Sequence, residues 1–253
     1  MATGASAGLA SESASGLWKV PRGLWRWGVR VAAMLAILAV IGMGLVPALW
    51  PFTPSVADAP KRVTAALHGG RELRVLPSPN RVGDAIIATE NSRFESDFGV
   101  DVVSLARTAL STVTGSGDRG AATLEMQLAK NLYVPHTDIG SRLRQVTLAF
   151  KLDTRYSKSD ILRMYLGSVY FGHRYYGLLS ASQGYFGLPP EQLSWAQASL
   201  LAGLVQAPSD YDPYRRFDLA KARQRHVLDR LVATGELGRA QADAAYAAPL
   251  HLR

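Results

Sequence analysis

Hydrophobic residues recur at helical spacing along most of the chain after residue 60, and few segments alternate as a strand would. The spacing predicts helices over 81–94, 101–113, 121–133, 141–156, 158–168, 175–186, 191–205, 217–234 and 237–246. Ser157, followed three residues later by Asp160, is placed to cap the start of the helix at 158–168. Gly235 is placed to end the helix at 217–234. The pattern therefore predicts one all-α domain over residues 61–253.

A longer apolar run precedes this domain. Residues 31–50 carry no charge, and about 20 residues in a helix span the roughly 30 Å hydrocarbon core of a bilayer. Arg22, Arg26 and Arg30 stand on the N-terminal side, which predicts a disordered, basic cytoplasmic tail over 1–30 and an extracytoplasmic main domain. A buried core helix is the alternative interpretation. The proline-rich stretch 51–60 is predicted to be a linker.

Composition and charge narrow the classes of function. The formal net charge of +8 and the pI near 9.9 favour anionic partners such as phosphates, acidic lipids or nucleic acid. The absence of cysteine excludes disulfides, thiolate metal sites and catalysis by a thiol. The five histidines are never four residues apart, so the sequence predicts no histidine metal site. A match to G-x-G-x-x-G at 115–120 follows a predicted helix rather than the strand that a dinucleotide site needs.

Glu90 is the first candidate for chemistry. It lies in the segment ATENSRFESDFGVD, residues 88–101. On a helix it shares a face with Ile86 and Ile87, just before this segment, and with Phe94, whereas a solvated acid would stand on the opposite face. Partial desolvation would raise its pKa toward the range of a general acid or base. Two interpretations stay open at this point, a catalytic carboxylate and an ordinary ion pair, for example with Arg93.

Polar and basic side chains on the following helices form a second signal. Thr123, Gln127 and Lys130 fall on one stripe of the helix at 121–133, and a cation beside a hydroxyl and an amide suits an oxyanion such as phosphate. Arg144 and Lys151 line one side of the helix at 141–156. They suit pyrophosphate or anionic lipid head groups, and a solvated face is the alternative for both helices.

Several blocks of sequence, in this order, resemble the peptidoglycan glycosyltransferase domain: ATENSRF, TLEMQLAKNLYV, RYSKSDILRMYLGSVYFG, GYFG and QASLLAGLVQAPSDYDP. The resemblance runs from about residue 75 to 247. Within the family, the chain resembles the monofunctional, membrane-anchored branch. It implies an all-α, lysozyme-like fold with a large lobe and a smaller membrane-proximal jaw. It also implies a place at the bacterial inner membrane, with one N-terminal transmembrane helix.

The resemblance further implies an enzyme that polymerises lipid II into glycan strands and releases undecaprenyl pyrophosphate. The family's catalytic base falls on Glu90 and its pyrophosphate-binding lysine on Lys130. The positions expected to bind substrate are Phe94, Thr123, Gln127, Lys130, Arg144 and Gln145. The implied partners are lipid II, the growing glycan strand, the membrane and other cell-wall synthesis proteins, but not nucleic acid, with Mg²⁺ or Mn²⁺ as an optional cofactor.

The chain also departs from the family pattern. Departures stand at Asn91 and Asp97, at Ala122, Glu125 and Met126, at Gln145 in place of a second functional glutamate, and at Gly167. An amide at position 145 carries no charge, so it can neither hold a metal nor move a proton. An active but diverged glycosyltransferase is one hypothesis. A relative that only binds lipid II or scaffolds cell-wall synthesis is a second, and a hydrolase with a lone acid is a weaker third.

Overall fold

The computed structural model describes residues 44, 46–66, 80–101, 122–134, 136 and 138–253. These residues form helices α1 (Ala59–Ala66), α2 (Arg81–Glu90), α3 (Leu124–Leu132), α4 (Ile139–Arg155), α5 (Lys158–Ser168), α6 (Leu178–Phe186), α7 (Trp195–Leu204), α8 (Phe217–Ala233) and α9 (Arg239–Ala247). Short 3₁₀ turns occur at Trp50–Phe52 and Pro190–Gln192. The described ranges contain no strand, only an isolated antiparallel bridge between Tyr170 and Tyr176. The all-α prediction is confirmed for this part of the chain.

Most predicted helices are present at nearly the predicted bounds. The predicted helix at 101–113 and the glycine-rich stretch after it lie almost wholly outside the described residues. Helix α2 ends at Glu90, four residues earlier than predicted, because the backbone of Asn91 leaves the helical region. The side chain of Ser157 accepts a hydrogen bond from the Asp160 amide, and Gly235 follows α8 with φ of +85°, so both predicted helix boundaries are confirmed.

Helix α7 lies at the centre of the core. Every residue from Ala196 to Leu204 is buried, as expected for a helix that is apolar on nearly all sides. It packs against α2 and α8, which also pack against each other, while α3 packs against α4 and α5. The C-terminal end of α2 therefore lies next to α8.

The stretch 51–60 is not a free linker, and this prediction was wrong. Val56 and Ala59 are buried in the core, and the Lys151 ammonium of α4 donates to the carbonyl oxygens of Trp50, Thr53 and Pro54 at 2.8, 2.9 and 3.2 Å. Three prolines indicate a linker locally, but burial of these two apolar side chains decides the structure.

The predicted tail at 1–30 and most of the predicted anchor at 31–50 lie outside the described residues. Within the described residues, every helix is too short or too polar to span a bilayer.

Candidate active site

Glu90 is the last residue of α2, and its carboxylate is held from two sides. The Arg223 Nη2 atom donates to Oε1 at 3.1 Å, and the Gln127 amide donates to Oε2 over a longer 3.5 Å. The side chain is 17% exposed. Burial raises the pKa of Glu90, while Arg223 and Gln127 act in the opposite direction without cancelling it. The predicted desolvation of Glu90 is confirmed, and its ion-pair partner is Arg223 rather than Arg93, which pairs with Asp101.

Gln127 is oriented by a tyrosine behind it. The hydroxyl of Tyr165, a fully buried residue of α5, donates to the Gln127 side-chain oxygen at 2.8 Å. Because that bond occupies the amide oxygen, the amide nitrogen is turned toward Glu90. Burial and the Glu90 charge both raise the pKa of Tyr165, which keeps the phenol neutral and able to donate.

Arg223 was missed by the sequence reasoning, because it lies 133 residues after Glu90. A signal was nevertheless present. Ala220, Val227 and Leu228 are buried residues of α8, and Arg223 falls between them at helical spacing. A cation on an apolar helix face indicates a buried charge that needs a partner, just as the acid on the apolar face of α2 does.

The polar stripe of α3 divides into three different environments. Thr123 is buried and caps α3, accepting from the Met126 amide and donating to the Gly99 carbonyl at 2.7 Å. Gln127 contacts Glu90. Lys130, one turn further on, is exposed and makes no hydrogen bond or ion pair with any other described residue. Its ammonium is therefore available to an anion.

The loop after Glu90 is fixed by a buried ion-pair cluster. The Lys158 ammonium lies 2.9 Å from Asp97, 2.7 Å from Glu125 and 2.8 Å from Asp153. Phe94 is fully buried, and its ring lies under this ammonium at 4.9 Å. The family resemblance implied that Phe94 contacts substrate. In this structure its side chain is instead buried behind the site, where it packs against the Lys158 ammonium.

Comparison with known proteins settles the family. Residues 70–232, well over half of the chain, match the family model described as Transglycosylase. The chain belongs to the transglycosylase family. It is 32% identical over 225 residues to a Cupriavidus necator protein provisionally named a transglycosylase, and the alignment covers 87% of this chain and 96% of that protein.

Other relatives of this chain are longer. Penicillin-binding protein 1A of Neisseria gonorrhoeae is 38% identical over 175 residues, which cover 68% of this chain and 22% of the relative. The Escherichia coli protein of that name is 36% identical over 167 residues, 65% of this chain and 20% of the relative. The chain thus spans about a fifth of these relatives. A crystal structure of penicillin-binding protein 1A from Haemophilus influenzae aligns at 22% identity with a TM-score of 0.43, over 72% of this chain and 18% of that one.

The family resemblance raised the question of a divalent metal. Oxygens of Asp97, Glu125 and Asp153 lie within 4.8 Å of one another, and carboxylates are the ligands that Mg²⁺ prefers. The ammonium of Lys158, however, already stands within hydrogen-bond distance of all three carboxylates. The cluster has its own cation, so these residues do not fit a divalent ion unless Lys158 leaves.

The two predicted residues of α4 have different surroundings. Gln145 is buried, and its amide donates to the backbone carbonyls of Val134 at 3.1 Å and His136 at 3.0 Å. It therefore anchors the connection between α3 and α4, and these bonds are ones that a carboxylate could not make. Arg144 is exposed, and its Nε donates to the Gly140 carbonyl within the same helix.

Proposed function

We propose that this transglycosylase-family chain is a peptidoglycan glycosyltransferase that uses Glu90 as its general base to extend glycan strands from lipid II. One observation carries the proposal: a desolvated carboxylate held by Arg223 and Gln127, with the unpaired ammonium of Lys130 on the same helix as Gln127. Residues three apart on a helix are neighbours on its surface, and since Gln127 contacts Glu90, this spacing supports a role for Lys130 beside the base.

The proposed step needs one proton acceptor and one stabilised leaving group. The sugar 4-hydroxyl of the acceptor gives its proton to Glu90 as its oxygen attacks C1 of the growing strand. The bond from C1 to the pyrophosphate oxygen breaks, and its electron pair leaves with undecaprenyl pyrophosphate. The Oε2 atom suits the proton because its contact to Gln127 is the weaker of the two, and Lys130 suits the developing charge on the pyrophosphate.

We further propose that this reaction takes place at the outer leaflet of the bacterial inner membrane, with the predicted anchor at 31–50 crossing the bilayer and its N-terminal end in the cytoplasm. Trp50, Phe52 and Phe98 are 40%, 80% and 73% exposed, and aromatic residues are frequent at the membrane–water interface. Lys151 holds the Trp50 carbonyl, and a Cβ on the glycine after Phe98 would lie 2.8 Å from the Ala149 carbonyl oxygen. Both aromatic segments therefore lie against the C-terminal half of α4. The two-lobed, lysozyme-like arrangement belongs to the same proposal.

The experiment is polymerisation of labelled lipid II by the full chain in detergent, with products separated on a gel, with and without Mg²⁺ or Mn²⁺. We expect polymer from the wild type and a fall of about 10²–10⁴-fold in Glu90→Gln, because the acceptor hydroxyl then loses its base. Glu95→Gln removes an exposed carboxylate from the same loop and should leave the rate unchanged.

Two outcomes would overturn the proposal. Lipid II that binds to the wild type without forming polymer in any metal condition would identify a binding-only relative. Shortening of preformed glycan strands in place of polymerisation would identify a hydrolase.

A further inference from the structure

Within the described part of the chain, Arg223 is the one cation that touches Glu90. The proposed function uses Arg223 only as a contact that holds the carboxylate and gives it no part in the reaction. We propose that Arg223 is a positioning residue that keeps Glu90 ionised at neutral pH and so sets the pH range of the reaction, an inference that rests on the proposed function of Glu90 as base.

The need for such a residue follows from burial. A general base must be ionised before it can accept a proton, and withdrawal from water favours the neutral carboxylic acid. At Glu90, burial is the largest influence and raises the pKa, and Arg223 is the largest influence opposing it. Without the guanidinium, only the longer bond from Gln127 would stabilise the charged form.

The structure holds Arg223 in place from several sides. Its side chain is 12% exposed, and its guanidinium lies 5.9 Å from the centre of the Tyr211 ring. A Cβ at Gly203 would lie 3.0 Å from the Arg223 Cγ atom, so this glycine of α7 makes room for the arginine stem. Glu90 is the one carboxylate in the described residues that pairs with this guanidinium, whose Nε atom is buried without a partner there.

The other groups around the pair do not replace this charge. Helix α3 presents the uncharged amide of Gln127, and α5 presents the phenol of Tyr165, whose pKa is raised by burial. On α8, burial together with the charges of Arg223 and Arg230 lowers the pKa of His226, which favours its neutral form. The exposed ammonium of Lys130 makes no contact with Glu90, so within the described residues Arg223 is the positive charge in direct contact with the carboxylate.

The test is a direct titration of the Glu90 carboxyl by NMR, on the full chain in detergent micelles with ¹³C-labelled glutamate side chains. The signal is assigned by its loss in Glu90→Gln. In Arg223→Gln we expect the midpoint to rise by about one pH unit or more, since an adjacent arginine lowers a carboxyl pKa by roughly 1–3 units. Arg223→Lys keeps the charge and should stay near the wild-type midpoint.

Arg225→Gln is the matched control. It removes a charge from the outward side of α8, where Arg225 pairs with Asp229 at 3.7 Å and Asp243 at 2.8 Å, and should leave the midpoint unchanged. If the Arg223→Gln variant does not fold, a second measurement on the wild-type chain still tests the inference. The ¹⁵N signal of the Arg223 guanidinium should titrate with the Glu90 midpoint and stay flat in Glu90→Gln.

The polymerisation assay then links the charge to the reaction. The acid limb of the rate profile should move by the same interval as the carboxyl midpoint, with the rate recovering at higher pH, which a general loss of structure would not produce. The inference would be overturned if the Glu90 midpoint were unchanged in folded Arg223→Gln, or if the Arg223 guanidinium signal did not change as Glu90 titrates. Either result would count even if the wild type polymerises lipid II. A shifted midpoint in a chain that makes no polymer would support the charge relation and remove only the proposed function.

Discussion

Replacing Gln145 by glutamate is the most direct test of how this chain differs from the family pattern, because that pattern places a functional glutamate there. If the site were merely impaired by the loss of that acid, Gln145→Glu should restore activity. The structure predicts the opposite result. Both donors of the Gln145 amide are used on backbone carbonyls, those of Val134 and His136, and the residue is only 7% exposed.

The expected loss of stability can be worked out from these contacts. A carboxylate has no N–H, so two hydrogen bonds disappear, each with a net value of about 0.5–1.5 kcal/mol. The new charge also faces two carbonyl oxygens that lose their donors, and a buried unsatisfied group costs about 1–3 kcal/mol. Together these effects predict a decrease of about 2–6 kcal/mol in the free energy of unfolding near neutral pH.

The sign of the pH dependence follows from the same geometry. Burial and the facing carbonyl oxygens raise the folded-state pKa of the new carboxyl above its unfolded value of about 4.3. The deficit should therefore be smallest below about pH 4, where the group is protonated in both states and its hydroxyl can donate to one carbonyl. It should grow as the pH rises through the folded-state pKa.

Urea unfolding followed by circular dichroism between about pH 4 and pH 8 measures this dependence. Gln145→Met is the matched control, because it loses both hydrogen bonds without adding a charge and should show a deficit that is nearly independent of pH. Gln145→Glu that is as stable as the wild type at pH 8, or that polymerises lipid II faster, would refute the structural role of the amide.

Two further substitutions test the surroundings of the base. Tyr165→Phe frees the Gln127 amide, and we expect the polymerisation rate to fall about tenfold in a protein that remains folded by circular dichroism. The fall should be smaller than the roughly 10²–10⁴-fold expected for loss of the base, because the Glu90 carboxylate is kept. Lys158→Met leaves three carboxylates facing one another, and we expect the free energy of unfolding to fall by about 3–5 kcal/mol at neutral pH in urea. That loss should shrink as acid protonates the carboxylates, and Lys61→Met, at an exposed position of α1, should show neither effect.

The parts of the fold that could be predicted from the sequence are those determined by local signals. Helices α5 and α8 carry strong apolar periodicity. Ser157 caps the start of α5, and Gly235, with a left-handed backbone, follows the end of α8. The docked stretch at 51–60 could not be predicted in this way, since its prolines indicate a linker. Its structure depends on burial of Val56 and on Lys151, which lies about a hundred residues further along the chain.

The candidate site divides in the same manner. Glu90 could be singled out because an acid on an apolar face is a local anomaly, and its burial follows from the packing of α2 against α7 and α8. The partner of Glu90 could not be identified, because pairing with Arg223 requires knowing that α8 returns to the end of α2. For Gln145, the sequence shows only a missing charge, whereas the structure shows two carbonyl groups that need a donor.

Three of the positions that depart from the family pattern, Asn91, Asp97 and Glu125, do not look like independent losses, because they belong to one network. Asn91 donates to Asp97 at 2.8 Å, and both Asp97 and Glu125 pair with the Lys158 ammonium. A site decaying without function would accumulate many buried polar groups lacking partners, each destabilising the fold, and among these three residues only the Oε2 atom of Glu125 is one in the described part of the chain. Here the substituted side chains join α3, α5 and the loop that follows Glu90 into one network. That coherence favours a diverged working site over a binding-only remnant, and the lipid II experiments can decide between the two.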